Sequence, residues 1–174
     1  MIVVLMGVSG SGKTTIGKLL AERTGWVFAD ADDYFLLACK QKMAAGHPLT
    51  DEDRAPWLQT LNGLLRKWDA DGTNGILACS ALKAKYHQVL EAGVPLDHIR
   101  FIFLDGPKTL IEARLAVRRH EYMNSNLLES QLETLETPTD AFRIVNDRAP
   151  EQIVGKIQTY LAQAEPLAGQ HISQ

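Results

Sequence analysis

Cysteine is scarce in this chain. Cys39 and Cys79 are the only two among 174 residues, and they show no paired spacing. That pattern argues against a disulfide framework and against a cysteine-based zinc site. The five histidines are scattered, with no HxxxH or similar ligand pair. No apolar stretch approaches membrane-spanning length. The apolar run behind Met1 lacks a basic flank and is too short for a secretory leader, so a cytoplasmic, reducing location is expected. No block of like charge dominates: 18 Lys and Arg stand against 21 Asp and Glu, net −3, with a pI near 5.9. Neither nucleic acid nor a membrane surface is therefore expected as a partner, although a single groove can still be basic.

There is no internal repeat and no low-complexity linker, only a polar tail after Pro166. At 45% hydrophobic and 22% charged, the chain has the mixture of a core-building protein, and its length fits one domain spanning 1–174. Short apolar runs at 2–6, 26–29, 75–79, 100–104 and 142–146 alternate with helical patterns. One helical face carries Ile16, Leu19 and Leu20, and another Leu58, Leu61, Leu64 and Leu65. A third carries Leu110, Ala113, Arg114 and Val117, and a last one Ile153, Ile157, Tyr160 and Leu161. Strands that are apolar throughout, rather than alternating, predict a parallel sheet covered on both faces, an α/β fold. Two stretches break the rhythm: 35–57, and the polar 120–136 behind the pair Arg118 and Arg119. Excursions of that length are usually binding loops or lids.

The stretch "GVSGSGKT" at 7–14 matches G-x-x-x-x-G-K-[ST] at every required place. An apolar strand enters it and an amphipathic helix leaves it, which is the context the motif needs. Gly7, Gly10 and Gly12 allow the backbone to turn the N–H groups of Val8, Ser9, Ser11 and their neighbours inward, so that they cradle phosphate at a helix N-terminus. Lys13 would reach the terminal phosphates, Thr14 would be a magnesium ligand, and Thr15 continues the cradle. The expected ligand is ATP with Mg²⁺. A guanine switch would show N/T-K-x-D, which is absent, and its D-x-x-G is matched only by "DADG" at 69–72, behind a helical pattern.

"DADDY" at 30–34 sets Asp30, Asp32 and Asp33 at the C-terminal end of the second strand, on the sheet edge where such folds bind ligands. Asp30 there could hold Mg²⁺, and Asp32 could accept a proton from a substrate hydroxyl. The competing reading is a helix N-cap with acidic first-turn residues, which would fall to Asp33.

Together with "KMAAGHPLTDEDRAPWL" at 42–58 and "ACSALKAKY" at 78–86, these motifs resemble the gluconokinase family of small P-loop kinases, in register over roughly 4–136. The resemblance implies a three-layer α/β/α fold with a five-stranded parallel sheet, an acceptor-binding insertion at 35–57, a mobile lid over 118–136, and a homodimer. It also implies ATP-dependent phosphorylation of a small sugar acid, D-gluconate first. Arg54 would grip the acceptor's carboxylate with two parallel hydrogen bonds, or else pair with Asp51 or Asp53 at the surface. Lys83 would bind acceptor or transferring phosphate, or else cap a solvated helix start. Arg118 would close on the γ-phosphoryl group, and Arg114 would lie against adenine. Trp57 and Leu58 are expected in the core.

The chain departs from the family pattern where the acceptor should lie. The family's His-Pro and Asn after "DADDY" are replaced by Phe35, Leu36 and Cys39. Its Lys and Arg after "CSALK" become Ala84 and His87, and Gly-His-Phe in the lid becomes His120, Glu121 and Tyr122. Phe35, His87 and Glu121 would then line an altered acceptor site. A kinase for another hydroxylated metabolite, and a nucleotide-binding module without turnover, stand as alternatives.

Overall fold

A computed structural model of the chain describes residues 1–117 and 125–164. Five strands form one sheet: β1 (Ile2–Met6), β2 (Val27–Asp30), β3 (Gly75–Ala78), β4 (Ile99–Asp105) and β5 (Phe142–Val145). Their order is β2-β3-β1-β4-β5, and every pairing is parallel. The helices are α1 (Lys13–Thr24), α2 (Leu37–Ala44), α3 (Asp51–Ala70), α4 (Ala84–Glu91), α5 (Lys108–Val117), α6 (Ser125–Thr134) and α7 (Pro150–Ala164).

All five residues of β1 are buried because the strand is central and covered twice. Ile2, Val4 and Met6 enter a core shared with Trp57, Leu61, Leu65 and Leu90 of α3 and α4. Val3 and Leu5 point the other way, against Ile16 and Leu20 of α1 and Ile153 and Ile157 of α7. Two packed layers on opposite faces account for strands that read as unbroken apolar runs. The three-layer α/β expectation holds, and each predicted strand lies within one residue of its observed bounds.

One expectation is corrected. The stretch 35–57 is mostly helical: it holds α2 and the start of α3, which begins at Asp51 rather than beyond Trp57. The cause is a capping box, in which Thr50 Oγ1 accepts from the N–H of Asp53 at 3.3 Å and Asp53 Oδ2 accepts from the N–H of Thr50 at 2.7 Å. In α5, the face of Leu110, Ala113, Arg114 and Val117 does not enter the core. Ile111 does, while Val117 is 85% exposed. Ala113, Arg114 and Val117 line a cavity instead.

Candidate active site

β1 delivers its chain directly into the phosphate loop, and two glycines show why the loop takes no other residue there. A Cβ on Gly7 (φ 138°) would lie 2.5 Å from the carbonyl oxygen of Leu104, and one on Gly12 (φ 99°) would lie 2.4 Å from Asn146 Nδ2. Lys13 Nζ folds back along the loop, donating to the carbonyls of Gly7 at 2.9 Å and Val8 at 3.0 Å. Its ammonium thus sits where terminal phosphates would come to rest. The hydroxyl of Ser11 is buried and has no hydrogen-bond partner among the described residues. A buried orphan in an anion cradle is the mark of a group that a ligand satisfies.

Beside the start of α1 lies a cavity of about 430 Å³, lined by Thr15, Ala113, Arg114, Val117, Asn146 and Arg148 among others. That volume is in the range of small-molecule sites, about 300–1,000 Å³. Arg114 Nη2 donates to the carbonyl of Asn146 at 2.7 Å, whereas its Nη1 is buried without a partner among the described residues. Asn146 is the hub. Its side chain is buried and donates from Nδ2 to the carbonyl of Ser11 at 2.7 Å, tying the end of β5 to the phosphate loop. Sequence reasoning passed over Asn146 and Arg148. The available signal was position, since both follow β5 at the carboxyl edge of the sheet, where ligands bind.

On the other side of the loop, Thr14 Oγ1 donates to Asp30 Oδ2 at 2.7 Å. Asp30, not Asp33, is the N-cap of the 3-10 turn at Ala31–Tyr34: its Oδ1 accepts from the N–H of Asp32 at 3.1 Å. Asp33 is simply an exposed first-turn residue. The turn is pinned from behind by buried Trp57, whose Nε1 donates to the carbonyl of Ala31 at 2.7 Å. Trp57 in turn stacks on Phe35, with ring centroids 4.3 Å apart. Asp32 stands next to that pinned carbonyl. This aspartate is exposed at the surface. Desolvation, followed by the like charge of Asp30, raises its carboxyl above the ordinary range, and Lys13 draws it back down. Solvent at that surface moderates the shift.

A basic cluster gathers around Tyr86. Arg54, Lys83 and Lys85 all lie within 6.0 Å of its ring centroid. Asp51 is shared among them: Lys83 Nζ donates to both of its oxygens, at 3.0 and 3.2 Å, Lys85 Nζ donates at 2.5 Å, and the Tyr86 hydroxyl also donates to it. These donors, Lys85 first, hold the Asp51 carboxyl far below its usual range. Burial, followed by the hydrogen bond to Asp51, pushes the Tyr86 hydroxyl up to about 12. Arg54 pairs with neither Asp51 nor Asp53; its Nη1 donates to the carbonyl of Leu49 at 2.5 Å. Asp53 belongs to Lys42, at 2.5 Å, and to the capping box. Three cations around one carboxylate leave a surplus of positive charge suited to an anion.

His87 is a correction. The sequence placed it in the acceptor site, but it is buried, stacked on Phe101 at 4.6 Å. Its Nε2 lies 2.8 Å from the carbonyl of Ala81, which only accepts, so Nε2 carries the proton. Ala81 has φ 43°, a conformation most side chains avoid, and this bond supports it on the loop that ends at Lys83. Cys39 is likewise buried, its Sγ 3.6 Å from the carbonyl of Asp53. Arg118, Arg119, His120, Glu121 and Tyr122 lie outside the described residues.

The chain matches the AAA domain family over residues 2–141. It is 43% identical over 135 residues to the thermosensitive gluconokinase of Escherichia coli, covering 78% of this chain and 71% of that protein. With the gluconokinase of Arabidopsis thaliana it shares 38% over 175 residues, 92% of each chain. The chain belongs to the gluconokinase family. The crystal structure of a gluconokinase from Sinorhizobium meliloti superposes with a TM-score of 0.82 at 34% identity, covering 92% of this chain and 91% of that one.

Within this gluconokinase-family site, Thr14 and Asp30 offer two hard oxygen donors at the helix side of the loop. Few protein oxygens, with room for water, is a donor set that fits Mg²⁺. Among the described residues no group of three or more His, Cys, Asp or Glu gathers as a metal cage.

Proposed function

We propose that this protein transfers the γ-phosphoryl group of ATP to a hydroxyl of a small sugar acid, D-gluconate first, yielding 6-phosphogluconate. The chain works as one P-loop kinase domain, with 35–57 serving the acceptor and 118–136 the lid. The observation that carries the reading is Asp32: a carboxylate with raised proton affinity, on a turn pinned by Trp57, next to the phosphate loop and under the influence of Lys13. A stronger base accepts a hydroxyl proton more readily. Gluconokinase relatives with high coverage support the acceptor class.

In the reaction the acceptor oxygen attacks the γ-phosphorus, the bond to the bridging oxygen breaks, ADP leaves, and the hydroxyl proton passes to Asp32. The N–H groups of Gly7, Ser9 and Ser11 bond within the fold, to the Ser80 carbonyl, Gln131 and the Val8 carbonyl, so the other N–H groups of the loop and the ammonium of Lys13 hold the phosphates, while Arg114 borders the adenine side. Thr14 and Asp30 would hold Mg²⁺, which would supply neutralisation of the phosphate charge. Arg54 and Lys83, with Lys85, anchor the acid end of the acceptor. Arg118 from the lid stabilises the charge that develops on the transferring group. A cytoplasmic homodimer completes the proposal.

A second reading, a kinase for a less hydroxylated acceptor, draws on one feature. Leu36 and Leu37, 56% and 71% exposed, follow the Asp32 turn directly and present an apolar rather than a hydrogen-bonding surface. ATP consumption against sugar acids, polyols and hydroxy acids separates the two. Gluconate turnover with a KM between about 1 μM and 1 mM is expected. Turnover confined to other acceptors would overturn the gluconate assignment, and ATP binding without any turnover would favour a regulatory module.

A further inference from the structure

The phosphate loop is held at one more point, which the phosphoryl-transfer reading does not use. Ser9, its third residue, is paired with Gln131 of α6 across 122 positions of sequence. The backbone N–H of Ser9 donates to Gln131 Oε1 at 2.7 Å, and Gln131 Nε2 donates back to Ser9 Oγ at 3.1 Å. A carboxamide is the one side-chain group that accepts and donates in this reciprocal way without charge. The pairing falls at the end of the loop that faces the terminal phosphates, since Lys13 Nζ sits on the carbonyls of Gly7 and Val8, directly before Ser9.

The chain is anchored again just past the C-terminal end of the same helix. The N–H of Glu136 donates to the carbonyl of Leu82 at 2.8 Å, and Glu136 Oε2 accepts from the N–H of Ala84 at 2.8 Å. These bonds bracket Lys83 on the acceptor side. Leu128 is buried and Leu132 and Leu135 pack on the core, so in this arrangement α6 lies against the body of the protein.

We propose that Gln131 is a positioning residue for the γ-phosphoryl group: it fixes Ser9, and through α6 it sets the phosphate loop in register with the Lys83 loop. Its effect belongs to the terminal phosphate, so ADP, which lacks that phosphate, does not feel it. This rests on the kinase reading for its transfer step but not for its binding step.

The test compares Gln131→Leu with the parent protein by calorimetric titration of a non-hydrolysable ATP analogue and of ADP, with Mg²⁺. The expected result is an affinity ratio, analogue over ADP, lowered about tenfold, with ADP affinity within twofold of the parent, at a temperature below the variant's own melting transition. Gln131→Glu, nearly the same shape, keeps the acceptor for the Ser9 N–H, loses the donor and adds a negative charge; it lowers the ratio as well and decides the matter if the leucine variant does not fold. A Ser9→Ala/Gln131→Leu double-mutant cycle on the ratio should be non-additive. An unchanged ratio in a folded variant, or additive effects in the cycle, would overturn the proposal. If the parent phosphorylates no acceptor at all, the kinase reading fails, while the binding ratio still decides the role of Gln131.

Discussion

Replacing Trp57 by Phe tests how the core holds the site. The indole is 2% exposed, and its Nε1 is the donor to the Ala31 carbonyl at 2.7 Å, one residue before Asp32. Phe keeps an aromatic ring against Phe35 but removes the donor. A buried carbonyl left without a partner costs about 1–3 kcal/mol. The smaller ring leaves a void of about 40 Å³, which adds about 1 kcal/mol. The total of about 2–4 kcal/mol corresponds to a melting temperature lower by about 5–15 °C in a chain of this size. Below that transition the folded variant should still bind ATP, because nothing in the phosphate loop has changed. Its kcat should fall by about one to two orders of magnitude, since a misplacement near 1 Å costs about a hundredfold. Calorimetry gives the first number, and steady-state kinetics at 20 °C, on ATP and on the acceptor separately, give the second. A Trp57→Phe protein with parental kcat would refute the claim that the Ala31 bond aligns Asp32.

Asp32→Asn should lower kcat by about 10²–10⁴, the worth of a positioned base, and leave nucleotide affinity in place by calorimetry. Its stability should move the other way. The fold raises the Asp32 pKa, so ionisation opposes folding; that penalty is complete above the folded value and absent below the unfolded value near 3.9. The Asn variant should therefore melt higher than the parent at neutral pH and lose that advantage as the pH falls through this window, and an advantage that persists at the lowest pH would sink the assignment. The acid limb of kcat/KM should likewise lie above 3.9 in the parent. His87→Ala should lower the melting temperature while leaving the KM for gluconate within twofold, because the imidazole supports Ala81 from the core; a large change in acceptor KM alone would return His87 to the acceptor site.

Most of the scaffold was legible because each layer obeys a simple period. Apolar runs without alternation demand two covered faces, and β1 with its neighbours meets that demand. The phosphate loop was legible because its glycines answer steric needs that a pattern can encode. What failed, failed for identifiable reasons. The helical face of α5 was legible but not its use: Ala113, Arg114 and Val117 line a cavity, and periodicity cannot tell a buried face from one that awaits a ligand. The start of α3 was missed although Thr50 and Asp53 spell a capping box, because the long polar run around them reads as loop. Asn146 was missed because its work is tertiary: no local pattern tells that its amide will reach Ser11 across 135 positions.

The departures from the family pattern weigh differently once they have places in the fold. From sequence they looked like one event, the loss of hydrogen-bond donors around an acceptor. In the structure Cys39 and His87 are buried, one beside the carbonyl of Asp53 and one bonded to that of Ala81. Neither presents a polar group to a ligand. Phe35 is spent largely on stacking against Trp57 and so serves the Asp32 turn. The groups that the proposed reading assigns to a sugar acid, Asp32 and the three cations around Tyr86, are all retained. Two of those cations, Lys83 and Lys85, are held by Asp51, itself a carboxylate, while Arg54 bonds to the Leu49 carbonyl. On the proposed reading the acceptor's acid end would compete with, or dock beside, an internal carboxylate. Selectivity among acceptors of like charge would then fall to the surface that Leu36 and Leu37 expose after the Asp32 turn.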